Sequence, residues 1–255
     1  MELPWFSWRG RHSRDLRVTV SAYPPVTRAP LRDRRARLPG RSGSLTPAGE
    51  PCYDDMTLRM EILLMPGTRP ADVTGWLSGS GELILGCDPE RALTARMARP
   101  LLLEALPGGW HRGEAWFTCD PLKARFPREG DLRIPAAGLA DGAEIVNPGD
   151  VIARPLYRLE GSGMLTLRWG EGADAPRLTV DLTAADGEAP GGFLFDSDTL
   201  RVTTPDGAES LDGAARLENG EAADFGLPPG ASRLWAESEG GTVGPLTLTP
   251  RWRWL

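Results

Sequence analysis

The side chains that most often carry catalysis or bind metals are few in this sequence and stand far apart. Neither of the two histidines, His12 and His111, has another histidine or a cysteine two to four residues away, the spacing of local zinc motifs. Asp54 and Asp55 form a carboxylate pair, but adjacent residues of a strand face opposite ways, which argues against a shared acid–base site. The sequence therefore predicts no catalytic residue, no metal ion and no cofactor.

Two further segments match known sites only in part. Asp196 and Asp198 could contact Ca²⁺ from one side, but the further oxygen ligands of a calcium loop are missing, and a turn after a strand is the simpler interpretation. Residues 39–44 hold two glycines and two serines without the Gly-Lys-Ser/Thr of a phosphate-binding loop. We interpret both segments as turns.

Cysteine usage and hydropathy indicate the compartment in which the chain folds. Cys52, Cys87 and Cys119 are odd in number and far apart, so buried free thiols and a cytosolic folding compartment are expected. The N-terminus lacks a basic segment followed by an apolar one, so no signal peptide is predicted. No apolar run approaches the roughly 20 residues of a membrane span, so no membrane insertion is expected.

The charge is distributed unevenly along the chain. Residues 1–41 hold ten arginines and three acids, a formal charge of +7, which leaves −13 for the rest of a chain of net −6. This basic segment could dock onto an acidic surface, or it could be a set of solvated strand faces. The candidate interface residues lie at its end: Arg32, Arg34, Arg35, Arg37 and Arg41.

Hydrophobic periodicity predicts a mainly β protein of two domains. Apolar residues alternate over 16–22 and 56–65, and Pro70 with Asp72 indicates the start of one short helix. We predict a turn at 88–90 and a hairpin around Pro107–Gly109, and the polar stretch from Asp120 indicates a domain boundary. Beyond it, short strands recur about every 10 residues, the spacing of a β-sandwich.

The nine tryptophans are candidates for core packing or for interfaces. Spacing places Trp76 and Trp116 in a core, whereas core and interface remain equally open for the terminal tryptophans: Trp5, Trp8, Trp252 and Trp254. Trp169 and Trp235 are the candidate platforms on which a sugar or a partner could stack.

About ten short motifs, taken in order, resemble one family of proteins. They are Trp5-Phe6-Ser7-Trp8-Arg9-Gly10-Arg11, Tyr23-Pro24-Pro25-Val26, Leu38 to Leu45, Tyr53-Asp54-Asp55, Trp76 to Leu83, Phe117 to Pro121, Asn147-Pro148-Gly149, Gly161-Ser162-Gly163, Leu227-Pro228-Pro229-Gly230 and Thr249 to Arg253. Together they resemble the distal tail protein of long, non-contractile-tailed bacteriophages and their prophages.

The resemblance implies a structural virion protein at the tail tip, made in the host cytoplasm and without catalytic activity. Residues 1–125 would be a β-sandwich-like, ring-forming domain with one short helix, and residues 126–255 a galectin-like β-sandwich outside the ring. Six copies would close into a ring between the tail-tube protein and the hub or fibre protein. DNA would pass through the lumen without specific binding, which agrees with the acidic net charge.

The sequence leaves two other functions open. A carbohydrate-binding module for host-surface glycans would use Trp169 or Trp235, although residues 126–255 contain no histidine and only two asparagines. A cell-wall hydrolase would need a carboxylate pair at catalytic spacing, and the sequence shows none.

Overall fold

A computed structural model describes residues 3–25, 28–32, 51–183 and 191–255. The chain divides into two compact units, the first comprising residues 1–128 with Leu255 and the second residues 129–254. The sequence analysis places the domain boundary after residue 125, whereas the first compact unit extends to residue 128. Residues 1–128 carry nineteen basic and fourteen acidic side chains, whereas residues 129–254 carry ten and twenty-one, so the units have formal charges of +5 and −11.

The first unit is built on an antiparallel sheet with one α-helix among the described residues. Its elements are β1 (Phe6–Trp8), β2 (Arg11–His12), β3 (Val18–Ala22), β4 (Met56–Leu64), α1 (Pro70–Trp76), β5 (Ser80–Leu85), β6 (Asp88–Met97), β7 (Leu103–Leu106) and β8 (Trp110–Arg125), with 3-10 turns at Ser13–Leu16 and Pro107–Gly109. The strand order is β2-β1-β5-β6-β8-β4-β3, and β7 pairs with the start of β8.

The sheet of the first unit curls until its two ends meet. The Thr19 hydroxyl and the Val20 amide of β3 both donate to the carbonyl oxygen of Pro4, at 2.9 and 3.2 Å. Because β4 places Met60, Ile62 and Leu64 on the concave face, their side chains are fully buried there. The alternation predicted from the sequence is confirmed in β4. In β3, Thr19 is buried and Ala22 is exposed, because the pairing with β4 shifts register between Val20 and Ala22.

Helix α1 covers part of the first unit's core. Pro70 stands at its first position, as the sequence predicts, and Val73 is fully buried. The Trp76 indole donates to the Trp8 carbonyl at 3.2 Å, and the Trp8 indole donates to the Trp76 carbonyl at 3.1 Å. This reciprocal pair of hydrogen bonds connects α1 to β1. It also gives each indole N–H an acceptor, which a donor removed from water needs.

The structure corrects a predicted turn at 88–90 and the predicted start of the domain boundary at Asp120. Residues 88–90 begin β6, and the turn lies at Gly86–Cys87 instead. Asp120 and Pro121 lie inside β8, which continues to Arg125. The pairing of β6 with β8 shifts register between Leu93 and Ala95, so Pro121 sits in a bulge where no ladder hydrogen bond is needed from its missing N–H.

The second unit consists of two five-stranded antiparallel sheets. Its elements are β9 (Leu132–Ile134), α2 (Ala136–Ala140), β10 (Ala143–Asn147), β11 (Leu156–Gly161), β12 (Met164–Trp169), β13 (Arg177–Asp181), β14 (Gly192–Asp196), β15 (Arg201–Thr203), β16 (Ala215–Glu218), β17 (Gly230–Glu239), β18 (Val243–Thr249) and β19 (Arg253–Trp254), with 3-10 turns at Asp212–Ala214 and Ala222–Phe225. One sheet runs β10-β17-β12-β13-β16 and the other β15-β14-β11-β18-β9.

The two sheets of the second unit share one core. Tyr157 and Phe195 from one sheet pack in the same buried cluster as Leu167 and Trp169 from the other. Alternation along each strand sends every second side chain into this layer, so the unit is a β-sandwich. The predicted mainly β class is confirmed, and the short helix α2 is an element that the sequence analysis did not predict.

A buried asparagine holds two loops of the second unit together. The Asn147 amide donates to the carbonyls of Val151 and Leu227, at 3.0 and 2.8 Å, and its oxygen accepts from the Gly149 N–H at 2.8 Å. A buried amide is stable only when such partners are present. The motif Asn147-Pro148-Gly149 therefore contributes a fixed clamp as well as a turn.

Candidate assembly surface

The outward-facing residues of β4 and β8 form a charged surface on the first unit. Because Met60 and Phe117 point into the core, their neighbours along each strand point away from it. The register sets Arg59 opposite Trp116 and Glu61 opposite Glu114. Two carboxylates directly opposite one another repel, so neighbouring cations are needed to hold this arrangement.

Three arginines neutralise these carboxylates. Arg59 forms an ion pair with Glu114, and Arg99 Nη2 lies 3.3 Å from Glu114 Oε2. Arg112 Nη2 lies 3.0 Å from Glu104 Oε2, and its Nε lies 4.0 Å from Glu61 Oε1. We call the six ion-paired side chains and Trp116 the arginine–glutamate network: Arg59, Glu61, Arg99, Glu104, Arg112, Glu114 and Trp116.

Trp116 lies at the centre of one half of this network. The guanidinium carbon of Arg99 lies 3.9 Å from the Trp116 ring centroid, and that of Arg59 lies 5.6 Å away. The Trp116 indole donates to Glu114 Oε2 at 3.0 Å. The prediction that Trp116 packs in the core is wrong, because Ala115 and Phe117 occupy the inward positions of β8. Their burial parity is the signal that could have placed Trp116 outside.

The network lowers the pKa of the Glu114 carboxyl, first through the hydrogen bond from Arg59 and then through the one from Trp116. A carboxyl with a lowered pKa stabilises the fold above its unfolded pKa, and the contribution is lost as the pH falls through its folded pKa. We expect Arg59→Gln to raise the Glu114 pKa toward its ordinary value in a carbon-13 NMR titration. Arg96→Gln, which removes a pair with Asp55 instead, is the matched control and should leave the Glu114 titration unchanged.

Of the five candidate interface arginines, the structure describes Arg32. Its Nε lies 2.6 Å from Asp54 Oδ1, and both side chains are about half exposed. Asp55 faces a different cation, Arg96, at 3.9 Å, so the two carboxylates have separate partners, although both precede β4 and neither lies within a strand. The other four candidates lie outside the described residues: Arg34, Arg35, Arg37 and Arg41.

The two candidate platforms of the second unit have different environments. Trp169 is only 7% exposed, and its indole donates to the Tyr157 hydroxyl at 3.0 Å inside the core. A ring buried in this way has no face open to a sugar, so Trp169 is a core residue and not a platform. Trp235 is half-buried on the outer face of β17, where the Arg168 guanidinium lies 5.5 Å from its ring centroid.

The terminal tryptophans also separate by environment. Trp8 is fully buried and Trp252 almost so, which assigns both to the core. Trp5 is half-buried and stacks on His12 with 4.5 Å between ring centroids, and Trp254 is half-buried against the second core.

The other groups singled out from the sequence have structural roles. Asp196 forms a two-pronged ion pair with Arg251, at 2.9 and 3.3 Å. Of the three cysteines, Cys119 is buried and Cys52 half-buried, but Cys87 is exposed because the turn before β6 carries it to the surface.

Within the described ranges, no three side chains of His, Cys, Asp or Glu gather closely enough to hold a metal ion. In the same part of the chain, no helix has the length and apolar composition that a membrane crossing requires.

Comparison with solved structures identifies a protein of the same architecture. The crystal structure of SPP1 Dit matches with a TM-score of 0.69 and 15% sequence identity, over 100% of this chain and 100% of that one. The chain has the fold of Dit. The resemblance found from the sequence motifs is thereby confirmed at the level of fold, over both units.

Dit is described as a paradigm of the hub adsorption apparatus in phages that infect Gram-positive bacteria. No family model matches the chain, and no curated protein does. With 15% identity to Dit, the two chains share an order of strands and helices much more than a set of side chains.

Proposed function

We propose that this chain is a structural protein of a phage tail tip, in which six copies close into a ring that joins the tail tube to the hub and fibre proteins. The observation that carries the proposal is the likeness to Dit over the full length of both chains. In this proposal the first unit forms the ring, the second is a galectin-like sandwich, and no catalytic step is assigned.

The charges of the two units support such an assembly. A formal charge of +5 on one unit and −11 on the other gives each copy oppositely charged regions, which favour the approach of further copies in a fixed orientation. The net charge of −6 on each copy disfavours general binding of the phosphate backbone by the assembly, although the ring-forming unit itself has a formal charge of +5.

The proposal is tested on the purified full chain by native mass spectrometry and negative-stain imaging across a range of concentrations. We expect a closed ring of six copies that binds the tail-tube and hub proteins of the same phage. A protein that stays monomeric at every concentration and binds neither partner would refute the proposal.

A second candidate function is glycan binding by the outer face of the second unit. It is favoured by the half-buried Trp235 and its neighbour Arg168, since the indole offers an apolar ring with a polar N–H and the guanidinium adds hydrogen-bond donors. We would measure binding of the full chain to host envelope polysaccharide by calorimetry, with Trp235→Ala as the control. Binding that Trp235→Ala abolishes supports this candidate, and absence of binding to every host polysaccharide removes it.

A further inference from the structure

Arg168 lies at the centre of the outer face of the β10-β17-β12-β13-β16 sheet. Its strand neighbours Leu167 and Trp169 are buried in the core, so the Arg168 side chain points away from it. The register sets Arg168 opposite Trp235 of β17 on one side and opposite Arg177 of β13 on the other. Two arginines directly opposite one another repel, so the fold holds a positive charge here against that repulsion.

Only one of these two charges is neutralised within the described residues. Arg177 Nε lies 2.7 Å from Glu218 Oε2, whereas no carboxylate of that part of the chain forms an ion pair with Arg168. Glu237 stands diagonally across from Arg168 in the register and does not pair with it. The Arg168 Nε is buried and lacks a hydrogen-bond partner, but its two Nη nitrogens are not buried. The guanidinium is therefore packed at Nε and presents its Nη donors outward, as a fork that matches a carboxylate or a phosphate.

The neighbouring Trp235 adds an aromatic ring at a fixed position. Its indole packs against the backbone of Gly142, where φ is +85° and a Cβ would lie 2.5 Å from Cε2 of the ring. The Arg168 guanidinium carbon, 5.5 Å from the ring centroid, leaves part of the half-buried ring exposed. Among the described residues, no group accepts a hydrogen bond from the Trp235 indole N–H. Trp235 thus offers a ligand both an apolar surface and a donor.

We propose that Arg168 and Trp235 form a binding site for an acidic sugar, a pyranose that carries a carboxylate or a phosphate. The anion accepts from the Arg168 Nη donors, and the C–H face of the sugar ring packs on the exposed part of the indole. An acidic side chain of a protein would use the guanidinium but not the ring. This inference rests on the second candidate function, glycan binding, and names its ligand class; it is independent of ring formation by the first unit.

The other sheet of the sandwich shows what distinguishes Arg168 from an ordinary surface arginine. Arg158 lies on the outer face of β11, at the centre of its own sheet, and is exposed. Its opposite residues are Leu194 and Thr247, so neither an aromatic ring nor a second cation faces it across the strands. Arg158 therefore provides a matched control, with the same charge on the same unit but without the ring.

Calorimetry on the full chain tests the site with probes that differ only in their acid groups. Oligogalacturonate carries a carboxylate on each ring, and reduction of those carboxyl groups to alcohols gives the neutral oligomer of the same length. A mannose 6-phosphate oligomer and its dephosphorylated form are the second pair. We expect at least one acidic probe to bind about tenfold or more tightly than its neutral partner, the change expected for a charge-assisted hydrogen-bonded pair.

The outcomes separate this inference from the functions proposed above. Equal binding of acidic and neutral probes would overturn the inference and leave glycan binding standing. Absence of binding to all four probes would also overturn it, while the measurement with host polysaccharide decides the glycan candidate and native mass spectrometry decides the ring. Polyglutamate binding as tightly as the acidic oligosaccharides, with no loss on Trp235→Ala, would indicate an acidic protein partner and overturn the assignment to a sugar.

Substitutions place the binding at the two residues. We expect Arg168→Gln to weaken binding of the acidic probe by about tenfold or more and to leave the neutral probe unaffected. Trp235→Ala should weaken binding of both probes, whereas Arg158→Gln should change neither. If Arg158→Gln weakened binding as much as Arg168→Gln, the attraction would come from the overall charge of the unit, which contradicts the proposed site.

Thermal unfolding gives a second measurement that does not depend on calorimetric heats. A ligand that binds the folded chain raises its Tm, so saturating acidic probe should raise the Tm of the unmodified chain and of Arg158→Gln. Arg168→Gln should show no such rise, and circular dichroism without the probe checks that this variant is folded. An equal rise in folded Arg168→Gln would refute the role of Arg168.

Discussion

Trp169→Ala is expected to lower the free energy of unfolding of the second unit by about 3–5 kcal/mol. The indole packs edge-on against Tyr157 and Phe225, with ring centroids 5.3 Å apart in both pairs, and lies 5.9 Å from Phe195. Truncation removes these contacts and leaves a cavity between two sheets whose backbones cannot close over it. Urea denaturation followed by far-ultraviolet circular dichroism measures the loss.

Trp235→Ala is the matched control, because the same side chain is removed from the other face of the same sheet. Trp235 is half-buried, so its truncation should cost about 1 kcal/mol or less. If the two variants lost similar stability, the assignment of Trp169 to the core and of Trp235 to the surface would be wrong.

Gly192→Ala is expected to cost about 3 kcal/mol, because the backbone at this position admits no side chain. Gly192 has φ of +145°, and a Cβ there would lie 2.1 Å from the carbonyl oxygen of Leu159 in the paired strand β11. The strain cannot be relieved by turning a side chain, since the obstructing atom belongs to the backbone. Thermal and urea unfolding of the purified variant measure the change.

The neighbouring glycine gives a control of the same chemistry. A Cβ on Gly191 would meet nothing within 4 Å, and its φ lies outside the left-handed region. Gly191→Ala should therefore change the free energy of unfolding by less than about 1 kcal/mol. A slight gain would arise because alanine lowers the conformational entropy of the unfolded chain. A large loss with Gly191→Ala would mean that the whole turn, and not the Gly192 contact, resists substitution.

Elements with strong local signals were predictable from the sequence. Alternation places Met60 and Ile62 on one face of β4. This alternation alone is enough to predict that both side chains are buried. Pro70 fixes the start of α1, since its ring fits the first helical position and its missing N–H is unpaired there in any helix. These features depend on residues within a few positions of each other.

Strand β6 shows why other elements were missed. Asp88 and Pro89 are turn formers, so local propensity predicts a turn, although they begin a ten-residue strand. Pairing to β5 on one edge and β8 on the other holds this segment extended. Such pairing joins residues that are distant in sequence. Local propensity depends on neighbouring residues only, so it does not predict this pairing.

The candidate surface depends on register, which explains why the sequence analysis did not single out its charged members and placed Trp116 in the core. Arg59 and Glu114 become neighbours only because the buried faces of β4 and β8 lock the two strands in one alignment. For the tryptophans the signal was present: Trp169 shares its parity with the apolar Leu165 and Leu167, whereas Trp235 alternates with Leu234 and Ala236. Parity alone therefore separates the buried ring from the half-exposed one.

The placement of β8 has a consequence for how the first unit opens. Between His111 and Gly113 it is hydrogen-bonded to β4 on one edge and β7 on the other, and from Phe117 to Cys119 it lies between β4 and β6. Amide protons in these stretches can exchange with deuterium only when a neighbouring strand detaches, which in a curled sheet disrupts the whole core. Their exchange rates would therefore report the global opening of this unit, and any binding partner that slows them would be stabilising the entire unit.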